Sequence, residues 1–182
     1  MSSFVGVGES WNGLIVSTPD ASDLTWTTTD GEVTITDCDE AATGGLVIPD
    51  TIEGNPVTSI GRAAFGACES LTSITIPDSV TSIGYEAFRD CTSLSIITIP
   101  DSVTSIGQRA FSDCSSLTSI TIPDGVTNIG RGAFLKCANL TSISIGDGVT
   151  SIGDGAFSDC TGLTSITIPD SVTSISNYAF RD

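Results

Sequence analysis

The sequence contains no histidine and one lysine, Lys136, among only six basic residues. Acid–base catalysis and zinc coordination both lean on imidazole, so each loses its commonest side chain. Against the six cations stand 22 acidic residues, for a net charge of −16. Nucleic-acid recognition needs Lys and Arg to displace counterions from phosphate, and an anionic membrane surface makes the same demand. Neither is an expected partner. No apolar run approaches the roughly 20 residues of a membrane span, so membrane insertion is not expected. The opening MSSFVGVGES has neither the basic n-region nor the apolar h-region of a secretory signal.

What the chain does have is a phrase repeated every 23 residues. Phe65, Phe88, Phe111, Phe134, Phe157 and Phe180 follow this step, as do Cys68, Cys91, Cys114, Cys137 and Cys160, and Leu71, Leu94, Leu117, Leu140 and Leu163. The pairs Ile74/Ile76, Ile97/Ile99, Ile120/Ile122, Ile143/Ile145 and Ile166/Ile168 keep the same register. Self-similarity at 20 to 50 residues marks a solenoid, whose units are too small to bury an apolar face alone and must stack. Within one unit, Ile74 and Ile76 alternate with Ser73 and Thr75, which predicts a short strand with one face buried. Pro77 ends it. Val80, Ile83 and Gly84 suggest a second extended stretch and a tight bend. The three-residue steps of Phe88, Cys91 and Leu94 fit a helical or 3-10 turn with one side inward.

This spacing places the cysteines in an internal column. Paired strands lie about 4.8 Å apart, but equivalent side chains on stacked laps point the same way, which opposes disulfide geometry. Free, buried packing thiols are expected. Cys38 lies outside the register, as a thiol of the cap.

L-T-S-I-T-I fits the L-x-x-L-x-L core of a leucine-rich repeat. The fuller phrase C-x-x-L-x-x-I-x-I-P-x-x-V-x-x-I-G-x-x-A-F resembles the BspA-like, or Treponema-type, leucine-rich repeat over roughly residues 45 to 182. The resemblance implies a leucine-rich-repeat solenoid, mostly β with short helical or 3-10 turns, with parallel strands on a concave face. Members of that family are typically bacterial or protist surface proteins implicated in adhesion, which implies an extracellular or cell-surface location. The family brings no catalytic residues. This chain departs from many leucine-rich repeats where Ser79, Ser102, Gly125, Gly148 and Ser171 replace a backbone-binding Asn. It departs from its own pattern at Gly146, in the proline position, and at Ser176, in the glycine position.

Residues 1–29 read as an irregular N-terminal segment, in which Trp11, Leu14, Ile15 and Val16 suit a strand, a partner-binding arm or an ordinary tail. Residues 30–60 read as an N-terminal cap and degenerate first repeat, with Val33 and Ile35 on a first strand and Ile48-Pro49-Asp50 matching Ile76-Pro77-Asp78. Residues 61–182 form the solenoid. At its far end Ile166, Ile168, Val172, Ile175 and Phe180 are expected to line an uncovered face. Solenoid ends need covering, whether by further chain, by end-to-end self-assembly or by another protein.

Four outward columns are candidates for function. The first is Ser73, Ile96, Ser119, Ser142 and Ser165 with Thr75, Thr98, Thr121, Ser144 and Thr167, the face such folds offer to ligands. Its Thr rows resemble an ice-binding array, but a curved sheet fits a flat lattice poorly. The second is Asp50, Asp78, Asp101, Asp124, Asp147 and Asp170, a line of carboxylates weakly suited to calcium and equally explained as turn formers after proline. Asp90, Asp113, Lys136 and Asp159, with Arg89, read as a solvated convex face. Thr81, Thr104, Thr127, Thr150 and Thr173 suit a second strand ladder and need no ligand. Many carboxylate pairs would meet a glycosidase spacing and nothing singles one out, so no enzyme and no cofactor is expected. Two readings stay open: a recognition or adhesion module for a protein or glycan, and a structural subunit that assembles end to end.

Overall fold

A computed structural model describes residues 20–182 together with two short antiparallel strands, Ser10–Trp11 and Leu14–Ile15. The expected strand or arm at Trp11, Leu14 and Ile15 therefore has a paired backbone; Val16 lies outside the described residues. From Leu24 onward the chain runs through short strands and turns. Its laps stack so that residues 23 apart lie over one another, Ile74 on Ile97 and Ser82 on Ser105.

Two ladders run along the coil. The second-strand ladder is the continuous one, passing through parallel pairs of Asn55–Ile60, Ser82–Ile83, Ser105–Ile106, Asn128–Ile129, Ser151–Ile152 and Ser174–Ile175. At its start sits an antiparallel hairpin, Leu24–Thr29 with Glu32–Cys38, whose second strand pairs in parallel with Asn55–Ile60. Asp30 and Gly31 turn this hairpin at φ 52° and 81°, the two positive φ values that a two-residue type I′ connection requires. Leu24, Val33, Ile35 and Cys38 face the core, so the hairpin covers the apolar end of the coil. The cap thus starts at Leu24. The segment expected to be irregular as far as residue 29 gives its last six residues to a strand.

The first-strand ladder is in pieces. Gly44–Val47, Leu71–Thr75 and Ile96–Thr98 form one parallel sheet, and Ser119–Ile122 with Ser142–Ile145 another. Leu163–Pro169 lies outside any strand, so Ile166 and Ile168 occupy extended chain where the alternation predicted a fifth copy of the strand. Nothing in the sequence of Ile96–Thr98 explains the break beside it.

The third side of each lap corrects the helical expectation. Isolated i→i+3 bonds are present, such as Arg89 N to Glu86 O and Leu94 N to Cys91 O, at 3.1 Å each. No helix builds from them, because residues at two positions per lap take left-handed φ near 55–60°: Glu86 and Asp90, Arg109 and Asp113, Gly132 and Lys136, Gly155 and Asp159. These residues turn the peptide planes over. On the second-strand side Thr104 N donates to Thr81 O and Gly107 N to Ile83 O, while on the first-strand side Ile48 N donates to Thr75 O. On the turn side the earlier lap donates to the later: Phe88 N to Ala110 O, and likewise Phe111 to Ala133 and Phe134 to Ala156, all at 2.8 Å. The turns are therefore a third ladder between laps.

The six repeat phenylalanines, Phe65 to Phe180, form one stack, with centroids 5.1 to 5.4 Å apart and ring planes within 15° of parallel. Offset stacking at this separation is favourable beyond the area buried. All six cysteines are free and buried. Four of the five column thiols donate to the phenylalanine carbonyl of the lap before, Cys91 to Phe65, Cys114 to Phe88 and Cys160 to Phe134 at 3.0 Å and Cys137 to Phe111 at 3.1 Å, while Cys68 faces the Cys38 carbonyl of the cap at 3.9 Å. The neighbouring Cys91 sulfur and burial push the Cys114 thiol well above its ordinary range, which keeps the proton this bond uses. At Gly107 the laps touch so closely that a Cβ would lie 2.5 Å from the backbone carbon of Gly84, which explains the recurrent bend glycine.

Two outcomes test this interior. Phe111→Ala should cost about 3–5 kcal/mol in denaturant unfolding, the cost of an unfilled aromatic site. Cys114→Ala should cost about 1–2 kcal/mol, because it removes one of two hydrogen bonds to the Phe88 carbonyl.

Candidate functional site

The first-strand face carries the candidate residues in straight rows, because parallel pairing fixes which residue sits over which. Ser73 pairs with Ile96 and Thr75 with Thr98, and Ser119 pairs with Ser142 and Thr121 with Ser144. The strand pleat sends Ile74, Ile97 and Ile120 into the core and these residues outward. Thr75, Ile96, Thr98, Ser119, Thr121, Ser142 and Ser144 are exposed and Ser73 is half-buried. Ser165 and Thr167 are exposed too, but on the extended segment outside the sheet. One member escaped the sequence reading: Gly45 pairs with Ser73 and Val47 with Thr75, which carries both rows one lap further. Val47 is 64% exposed and Ile96 65%. The Leu46–Ile48 alternation was the available signal.

Where the ladder breaks, the face deepens. A depression of about 280 Å³ lies between Ser95–Ile99 and Thr118–Thr121, reaching Ser142 and Ser144. Eight of the ten predicted face residues stand in the paired strands, and seven of those eight are exposed. Hydroxyls of both hydrogen-bonding senses, with one exposed isoleucine among them, offer donors, acceptors and an apolar contact.

The aspartate column is a row along one edge. Asp50, Asp78, Asp101, Asp124, Asp147 and Asp170 are all exposed. Between Asp101, Asp124 and Asp147 lies a second depression, of about 520 Å³, opened by Gly125 and Gly146 in place of larger residues. Asp124 Oδ1 accepts from the Asp147 backbone N–H of the next lap at 2.9 Å, a bond between laps rather than within a turn. Among the described residues no three His, Cys, Asp or Glu side chains converge as a cation shell. The missing Asn ladder is replaced in part by hydroxyls: Ser79 donates to the Val57 carbonyl at 2.8 Å and Ser102 to Val80 at 2.7 Å. Gly125 and Gly148 drop this bond, and a Cβ on Gly148 would collide with the Asp124 carbonyl.

The column read as a solvated convex face has a structural cause instead. Asp90, Asp113, Lys136 and Asp159 share the left-handed position of the turns, which aspartate tolerates better than most residues. The Thr81 column bonds along the ladder: Thr81 Oγ1 donates to Thr58 O and Thr104 Oγ1 to Thr81 O, both at 3.3 Å. All six cations, Arg62, Arg89, Arg109, Arg131, Lys136 and Arg181, fall on the turn side. Most are paired there, Glu86 lying 3.5 Å from both Arg89 and Arg109, and Asp113 3.6 Å from Lys136. At the last lap Ile175 is 51% and Phe180 39% exposed. Ile166, Ile168 and Val172 remain packed against the core.

Stacked parallel laps of 23 residues, an inward Leu-x-x-Ile-x-Ile strand and an outward hydroxyl face define a solenoid of the leucine-rich-repeat class. Its repeats match the family described as BspA type leucine rich repeat region in six copies over residues 58–182, and the chain belongs to that family. The T. pallidum leucine-rich-repeat protein TpLRR is similar at 30% identity and a TM-score of 0.67, over 87% of this chain and 86% of that one. A leucine-rich-repeat protein of Bacteroides ovatus shares 36% identity with a TM-score of 0.64, over 87% of this chain and 49% of its own. A leucine-rich cell surface protein of Faecalibacterium prausnitzii shares 31% identity with a TM-score of 0.61, over 96% of this chain and 52% of its own. No curated protein matches the sequence.

Gly148→Ala should lower stability by about 2 kcal/mol or more, since the added methyl meets backbone that cannot yield. Gly125→Ala, whose Cβ would stand 3.0 Å from the Val103 carbonyl, should cost less. Paired thermal melts of the two variants check the order.

Proposed function

We propose that the protein is a non-enzymatic recognition or adhesion module that binds a protein or glycan through its first-strand face. The observation that carries this reading is the depression bounded by Thr98, Ser119 and Thr121 beside exposed Ile96. None of these side chains is consumed by the core, and hydroxyls set in rows at the lap spacing suit an extended ligand with repeated polar groups. A cell-surface setting is consistent with the family and with the surface protein it resembles. No helix of the described residues is long and apolar enough to cross a membrane.

A second reading, end-to-end assembly, rests on the exposed Ile175 and Phe180, whose counterparts Ile152 and Phe157 are buried at 0% and 1%. A further lap in a longer chain would occupy the same place.

Purified protein applied to glycan and extracellular-matrix arrays, with and without calcium, should show saturable capture of at least one ligand. Thr98→Glu with Thr121→Glu should weaken that capture roughly tenfold or more, as introduced charge opposes an uncharged partner. Unchanged capture by the double variant would exclude this face. For the second reading, a concentration-dependent oligomer that Phe180→Asp reduces to monomer, measured by light scattering, is the expected result; a wild-type monomer at all concentrations defeats it.

A further inference from the structure

On the turn side, away from the first-strand face, a depression of about 160 Å³ is lined by Arg109, Arg131, Arg181, Asp154, Tyr178 and the glycines of two adjacent laps. Three of the chain's six cations meet there, in a protein of net charge −16. Equivalent positions on neighbouring laps explain the opening. Gly132 and Gly155 occupy the left-handed turn position that Glu86 fills two laps before the first of them and three before the second. Where Glu86 supplies a carboxylate 3.5 Å from Arg89 and Arg109, these two laps supply no side chain at all. Arg131 keeps one partner, Asp154, 3.4 Å from its Nε, and its side chain is 64% exposed. Tyr178 is 64% exposed, and Arg181 lies 5.6 Å over its ring.

We propose that this depression binds an acidic sugar residue, with its carboxylate between Arg109 and Arg131 and its ring against Tyr178. The guanidinium fork matches a carboxylate bidentately. The two glycines leave room for that group beside the backbone, in the place a glutamate carboxylate takes on an earlier lap. An exposed aromatic beside the cations adds a flat surface for the apolar face of a pyranose, a contact that a bare inorganic anion cannot use. The site is independent of the first-strand face, so each can fail alone.

The test titrates the full chain with methyl glucuronide while following the backbone amide resonances of Gly132 and Gly155. Methyl glucoside, inorganic sulfate and an acidic hexapeptide serve as comparison probes. Saturable shifts at both glycines with glucuronide, absent with glucoside and weaker with sulfate, are expected. Arg131→Ala should weaken glucuronide binding roughly tenfold, as loss of a charge-assisted contact does, and Tyr178→Ala should weaken glucuronide but not sulfate. Unaltered thermal melting of both variants shows that the fold is intact. Silent glycine amides, or affinity unchanged in Arg131→Ala, would overturn the site. Equal affinity for sulfate, or tighter binding of the peptide, would overturn its assignment to a sugar.

Discussion

The constraint on which this structure depends is registration between laps: each backbone circuit must return to the same place 23 residues later. Three ladders enforce it, two on the strand sides and one along the turns. Along the turns the backbone bonds from Phe88 to Ala110, Phe111 to Ala133 and Phe134 to Ala156 recur once per lap, so each circuit is tied to the next on that side as well. Left-handed residues such as Glu86 and Asp90 close each lap.

Registration explains the interior. Stacked phenylalanines 5.1 to 5.4 Å apart require every ring to take the same rotamer, and the thiol-to-carbonyl bonds tie four of the five column cysteines to the phenylalanine of the lap before. A protonated thiol is small enough for the column and still satisfies a buried carbonyl. The same registration explains the surface. Any outward position becomes a row, and rows are what an elongated ligand meets. It also means that a local departure from the repeat, such as Ile96, Gly132 or Gly155, is the main way one part of the surface comes to differ chemically from another.

Charge follows the same division. Aspartates line one edge and the hydroxyl face carries no cation, while all cations sit on the turns. The turn side needs residues that tolerate left-handed φ, and the aspartates placed there bring arginine and lysine partners close, as with Arg89 and Asp90 at 3.2 Å. Exposed pairs of this kind contribute little stability, so their placement shapes the field around the molecule more than its fold.

The sequence alone determined the lap length, the inward Phe, Cys, Leu and Ile columns, the first-strand face and the free state of the thiols, because a fixed period leaves each residue type only one address. The turns, read as helical or 3-10, are isolated i→i+3 turns: three-residue spacing is common to a 3-10 helix and to a chain of β-turns, and only backbone φ at Glu86 and Asp90 separates them. The break beside Ile96, the start of the cap at Leu24 and the acceptors of the thiols were likewise decided by tertiary structure. Each depends on how one lap sits against the next, a distance in space that the spacing of letters along one lap does not contain.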